Sequence, residues 1–286
     1  MARNPLGIHA LVWVGGWTPE ECETAIASTK AAGYDRIEIP ALEPERIDID
    51  DTRARLEHHG LKAGVSLGLA PNADINSEDL ASVARGRDVL MDALTVTRGV
   101  GADYVGGVIF SAMTKYAGPT TRRARENSVS VIRELAQEAA KDDIAVGLEF
   151  VNRYESNLLN TAEQTMEYLD EVNESNVVVH ADVYHMNIEE RDYRTPILVC
   201  GDRLGYVHVG ESHRGYLGTG TIRFPEFFAA LKEADYRGPI TFESFSSAVV
   251  DPNLSNTLAV WRNMWSDGMD LATQARAFIE SGMAEA

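Results

Sequence analysis

Ala145–Phe150 reads AVGLEF, a short apolar run with a single acid one place from its end. Successive side chains of an extended strand point to opposite faces. Ala145, Gly147 and Glu149 therefore share one face, and Val146, Leu148 and Phe150 the other. Three further runs have the same form. Asn176–Asp182 (NVVVHAD) delivers Asp182 and Gly205–Glu211 (GYVHVGE) delivers His208. Pro239–Phe245 (PITFESF) sets Thr241 and Glu243 opposite Ile240 and Phe242. If the four strands are neighbours in a closed parallel barrel, three carboxylates and an imidazole converge at one mouth. They would repel one another there unless a divalent cation held them together.

Upstream of these runs the chain repeats one unit, strand then helix. GIHALVW (Gly7–Trp13) is predicted as the first strand. Thr18-Pro19-Glu20-Glu21 then caps a helix that runs to about Ala32 and ends at Gly33. DRIEIP is the second strand, Asp51–His59 a helix and LKAGVSLGL the third strand. Ser77 is expected to cap a long helix reaching Arg98; DYVGGVIF is the fourth strand and Thr120–Lys141 the fourth helix. Asn160 with Glu163, Phe224-Pro225 and a final stretch to the C-terminus mark later helices. Eight strands alternating with helices, without a linker or composition break, predict residues 1–286 as a single α/β domain, a (β/α)8 TIM barrel. A doubly wound sheet would place a glycine fingerprint after the first strand, and Val14-Gly15-Gly16-Trp17 is a poor one.

Composition narrows the partners. The 286 residues carry 26 basic and 44 acidic side chains, a net charge of −18, which argues against nucleic acid or an anionic membrane. Cys22 and Cys200 form neither a disulfide framework nor a zinc spacing, so a reducing cytoplasm is expected. No apolar run approaches a membrane span, and MARNPLGIHA lacks a signal-peptide core.

A strand-end glutamate taken singly is more often a cap partner or ion-pair member than a ligand. Four such groups on inward positions of consecutive strands are hard to explain as caps, because these barrels build active sites on their C-terminal face. His180 shares the face of Asp182 but lies deeper, as barrel lining beneath it. Glu38 either reaches the pocket or pairs with a neighbouring strand. His9, Trp13 and Trp17 sit around the first-strand loop; Trp13 and Phe245 are candidate walls for a sugar, against the commoner role of aromatics as core caps. The glycines between Gly210 and Gly220 are read as shaping a turn, because Arg214 is the one fixed cation there to meet a phosphate.

The strings LEFVNRYESNLLNT, DVYHMNIEE, HVGESHRGYLGTG and FESFSS resemble the ketose 3-epimerases. These are the D-tagatose/D-allulose (psicose) 3-epimerase and L-ribulose 3-epimerase group of xylose isomerase-like barrels. The resemblance runs nearly end to end. It implies that Glu149, Asp182, His208 and Glu243 hold one catalytic Mn2+, Mg2+ or Co2+, and that Glu149 and Glu243 double as the proton-transfer pair. It further implies that His185 and Arg214 bind the oxygens at C1 and C2 of the sugar, that Glu155 hydrogen-bonds the same end, and that the chain forms a homodimer or homotetramer. The chain departs from the family pattern at Ala181-Asp182-Val183, where Leu-Asp-Thr is common, and at Ser111-Ala112-Met113, where some members carry tryptophan.

The chemistry expected of such residues is inversion at C3 of an unphosphorylated ketose. The candidate pairs are D-fructose/D-allulose, D-tagatose/D-sorbose and L-ribulose/L-xylulose. A carboxylate on one face takes the C3 proton, giving a cis-enediolate, and a carboxylic acid on the other face returns one. An aldose–ketose isomerase on the same barrel is the alternative. A nuclease related to the AP endonucleases is remote, because it would gather histidines around several zinc ions and need a basic surface.

Overall fold

The computed structural model of the protein describes residues 3–286, in which eight parallel strands close into a barrel in chain order. The strands are β1 (Leu6–His9), β2 (Arg36–Pro40), β3 (Lys62–Leu69), β4 (Tyr104–Ala112), β5 (Ala145–Phe150), β6 (Val177–Asp182), β7 (Leu204–Val209) and β8 (Ile240–Phe242). The helices are α1 (Pro19–Ala31), α2 (Ile49–His59), α3 (Leu80–Val100), α4 (Arg122–Ala139), α5 (Ala162–Val172), α6 (Val183–Glu189), α7 (Arg194–Cys200), α8 (Phe224–Glu233), α9 (Pro252–Thr257) and α10 (Gly268–Glu285). Barrel strands are covered on both faces, so the outward residues Ile37, Ile39, Val146, Leu148 and Phe150 are buried in one continuous core beneath the helices.

Local chemistry sets the helix starts. The Thr18 side chain accepts from the Glu21 N–H and the Glu21 carboxylate from the Thr18 N–H, a full capping box for α1. Two expected boundaries move. α3 is capped by Asp79, whose carboxylate accepts from the Ala81 N–H, while Ser77 instead accepts from Asp79 in the preceding turn. The expected strand Gly7–Trp13 pairs only as far as His9; the His9 ring accepts from the Leu11 N–H and turns Ala10–Val12 into a 3₁₀ segment. Two helices absent from the sequence reading, α6 and α9, occupy the late βα loops.

The barrel interior is unusually polar below the mouth. Tyr104 occupies volume left by Gly106 and Gly147, where a Cβ would fall 2.2 and 2.0 Å from its hydroxyl. Its ring stacks on Tyr206 at 4.1 Å, and its hydroxyl lies 2.8 Å from His180 Nδ1. Arg36 reaches out of this floor to Asp103 at 2.7 Å. The inward chains of β5 to β8 rest on this stack.

Candidate active site

The register of β5 to β8 brings Glu149, Asp182, His208 and Glu243 to one point. One ligand atom from each lies within 4.8 Å of all the others, and all four residues are buried. His208 is held from the far side of the barrel, where its Nε2 lies 2.8 Å from Glu38 Oε2. An N–H at Nε2 leaves the Nδ1 lone pair free. That nitrogen has no hydrogen-bond partner among the described residues; it lies 3.5 Å from Glu149 Oε1 and 3.5 Å from Glu243 Oε1. The Tyr184 N–H donates to Asp182 Oδ1 at 2.8 Å, turning Oδ2 toward the group. Arg214 Nη1 donates to Glu243 at 2.8 Å and lies 3.4 Å from Asp182 Oδ2.

Crowding and burial govern the charges. Burial, partly opposed by His208, pushes the Glu149 carboxyl up to about 8. Burial also raises Asp182, against the pull of Arg214. Against burial, Glu38 and Glu243 hold the His208 imidazole well above its ordinary value. An imidazolium and an ionic hydrogen bond are one way to settle such a cluster. The 3.5 Å separations are too long for it, since N⁺–H···O⁻ bonds run about 2.7–2.9 Å. They suit a shared cation instead, because ligands about 2.1 Å from an octahedral ion sit roughly 3–4 Å apart. Three carboxylates and one imidazole, with no thiolate, form a donor set for Mg2+, Mn2+ or Co2+. The residues present therefore fit a divalent ion.

Beside this group lies a second constellation. The Asn152 backbone N–H and side-chain amide approach His185 Nδ1 at 3.2 and 2.9 Å, so the neutral ring carries its proton on Nε2. That Nε2 points into the site, 3.8 Å from Glu149, 3.7 Å from Asp182 and 4.0 Å from Glu155. Burial, with Arg214 and His208 adding to it, keeps this imidazole well below its ordinary value and hence neutral. Asn152 also donates to Glu155 at 2.8 Å. The Arg214 guanidinium is clamped over the Tyr184 ring at 3.7 Å, with Phe245 at 5.2 Å.

The xylose isomerase-like TIM barrel family matches residues 26–274 of this chain. An L-ribulose 3-epimerase from Methylomonas sp. (strain DH-1) is 53% identical over 278 residues, 97% of each chain. A ketose 3-epimerase from Arthrobacter globiformis is 46% identical over 274 residues, 96% of this chain and 95% of that one. The chain belongs to the ketose 3-epimerases. The crystal structure of a D-allulose 3-epimerase from Methylomonas sp. in complex with D-allulose superposes on this epimerase with a TM-score of 0.96, at 52% identity and 98% coverage of both chains. The enzyme is thus an isomerase, a carbohydrate epimerase. Among the described residues no helix is long and apolar enough to cross a membrane.

The cavity of this epimerase brings together most of the residues singled out in the sequence. Glu149, Glu155, His185, His208, Arg214, Glu243 and Phe245 all line it. Trp13 does not line it: its indole N–H donates to Thr29 of α1 at 3.0 Å, so the expectation of a sugar wall there is corrected. Glu38 lines the cavity floor, and its partner His208 lies across the barrel rather than on an adjacent strand. His180 sits beneath the ligands as barrel lining. The glycine-rich string is a turn, wrapped around Glu211, which accepts from the Ser212 and Gly218 N–H groups at 2.8 and 2.9 Å. Asn152 and Tyr184 were not foreseen. Asn152 had a local signal, because an asparagine two residues before Tyr154 can accept its N–H, as it does at 3.0 Å. Leu254 and Leu258 of the segment after β8 close the cavity rim and carry no sequence period that marks them.

Proposed function

We propose that this epimerase inverts C3 of an unphosphorylated ketose, with one Mn2+, Mg2+ or Co2+ held by Glu149, Asp182, His208 and Glu243. The observation that carries the reading is the placement of Glu149 and Glu243. They come from the two outer strands of a four-strand arc, and each sends a carboxylate oxygen to 3.5 Å from the same imidazole nitrogen. A sugar carbon held between them meets a carboxylate from each side.

Environment distinguishes the two carboxyls. Burial lifts Glu149 to about 8 in the ion-free protein, whereas ligation of the proposed ion favours its charged form, so Glu149 exchanges its proton within each turnover rather than holding it. Glu243 is hydrogen-bonded by Arg214 and is suited to act as the carboxylate base. With one epimer Glu243 takes the C3 proton and Glu149 delivers another to the opposite face; with the other epimer the roles exchange. A bound divalent ion supplies polarisation of the C2 carbonyl and neutralises the charge that develops on its oxygen. His185 Nε2–H and Arg214 hold the C1–C2 end, and Glu155, fixed by Asn152, accepts from a sugar hydroxyl there. Among the residues lining the cavity Arg214 is the sole lysine or arginine, and Glu243 and Asp182 already engage it, which favours a sugar without phosphate.

The relatives named for L-ribulose and D-allulose make L-ribulose/L-xylulose and D-fructose/D-allulose the first pairs to assay, with D-tagatose/D-sorbose beside them. A homodimer or homotetramer in the cytoplasm completes the proposal; the buried free thiols of Cys22 and Cys200 support the reducing compartment. The test is turnover of each ketose in D2O. Deuterium at C3 of recovered sugar is expected, whereas label confined to C1 would establish an aldose–ketose isomerase instead.

A further inference from the structure

We infer that Glu38 is the positioning residue of the metal histidine: its carboxylate accepts a hydrogen bond from the Nε2–H of His208 and thereby fixes the tautomer and ring orientation that present Nδ1 to the ion. This rests on the metal assignment proposed above. Glu38 stands on β2 and His208 on β7, so the contact spans the barrel interior, at 2.8 Å between residues 170 apart in the chain. Glu38 is fully buried and, among the described residues, has no lysine or arginine within salt-bridge distance, although Arg36 lies two places earlier on the same strand. A carboxylate in such a place is costly unless paired and hydrogen-bonded. Its two oxygens instead face two imidazoles.

The second imidazole is His9. Its Nδ1 accepts from the Leu11 N–H at 3.2 Å, so its proton sits on Nε2, directed at Ser66 Oγ (3.3 Å) and Glu38 Oε1 (3.7 Å). The carboxylate is thus held by the hydrogen bond at Oε2, while Oε1 has no hydrogen-bond partner among the described residues. The His208 ring has little freedom of its own, because the His180 ring packs edge-on against it at 4.1 Å. His208 Nδ1 has no hydrogen-bond partner among the described residues and faces Glu149 and Glu243 at 3.5 Å each, where the proposed ion would sit. A carboxylate on the far nitrogen of a metal-binding histidine fixes the ring and strengthens the lone pair offered to the metal.

The test is Glu38→Gln, which keeps the side-chain volume. Purified wild type and variant are stripped with EDTA, titrated with Co2+ and followed by the visible absorption of the bound ion. The variant is expected to bind Co2+ about 10- to 100-fold more weakly. Its absorption band should shift, and at saturating Co2+ kcat should fall while KM for the ketose changes little. Equal affinity and an unchanged band in a variant that melts like wild type would overturn the inference. Failure of wild type to bind Co2+ would refute the metal assignment instead. Should the variant not fold, the tautomer is read in the Mg2+-loaded wild type from long-range 1H–15N spectra, with His208 identified by the signal lost in His208→Gln. A proton on Nε2 supports Glu38 in this role, and a proton on Nδ1 overturns it.

Discussion

Removing the divalent ion should make stability fall with rising pH just above neutrality. In ion-free protein Glu149 keeps its proton up to about 8, whereas in the unfolded chain it is lost near its ordinary value of 4.5. His208, held well above 6.5, likewise keeps a proton that the unfolded chain releases near that value. Between pH 7 and 8 the folded state therefore binds more protons than the unfolded one, and stability declines as pH rises. His9, His180 and His185 are shifted down, so their contribution grows with pH while unfolded imidazoles are still protonated; between pH 7 and 8 it offsets only a minor part of the fall, about 0.4 kcal/mol. One retained proton is worth about 1.4 kcal/mol per pH unit. Glu149 and His208 together give roughly 1–3 kcal/mol across the window, since Glu149 is half ionised at its end. At about 2–4 °C per kcal/mol for a domain near this size, the melting temperature should drop by about 2–12 °C. Saturating Mn2+ should abolish the slope, because the ion displaces those protons and binds more tightly as the ligands ionise. Thermal melts of EDTA-treated and Mn2+-loaded protein at pH 7, 7.5 and 8 make the measurement. A flat or rising profile in the ion-free protein, or an equal fall in the loaded one, would refute the reasoning.

Glu149→Gln and Glu243→Gln should each reduce net epimerisation by a factor of about 10² or more, the low end of what a positioned acid or base contributes. In D2O, each variant should still exchange the C3 proton of the one epimer whose base remains, read by NMR of recovered sugar. Arg214→Ala and His185→Ala should lower kcat/KM by about 10²-fold through loss of orientation, with metal content unchanged by elemental analysis. Gly147→Ala would set a Cβ 2.0 Å from the Tyr104 hydroxyl and should destabilise the barrel by about 1–3 kcal/mol, measured by urea unfolding.

Much of the fold was legible because its signals are local. Each of the runs ending near Glu149, Asp182, His208 and Glu243 carries its own alternation, and Thr18 with Glu21 states the start of α1 within four residues. Where two local signals compete, sequence is weaker. Ser77 and Asp79 are both capping residues, and only the geometry of the turn selects Asp79. Gly7–Trp13 has the composition of one strand, but the His9 ring captures a backbone N–H and ends it early. Contacts across the barrel leave no periodic trace, which is why the partner of Glu38 stayed open and why Tyr184 beneath Arg214 went unnoticed. Trp13 was misassigned because a ring at the top of β1 can turn either way, and Thr29 offers its N–H a partner on the outer side.

The order of the four ligands along the chain has a consequence for biosynthesis. Glu149, Asp182 and His208 lie on β5, β6 and β7, but Glu243 follows β8, whose pairing with β1 closes the barrel. Until residues 240–242 have left the ribosome and zipped onto Leu6–Ile8, a nascent chain offers three ligands on an open edge and no fourth. Capture of the proposed ion would then be timed to ring closure. Occupancy of the proposed centre would report that synthesis has passed its last strand, and a truncated product would carry no complete centre to compete for the cell's metal.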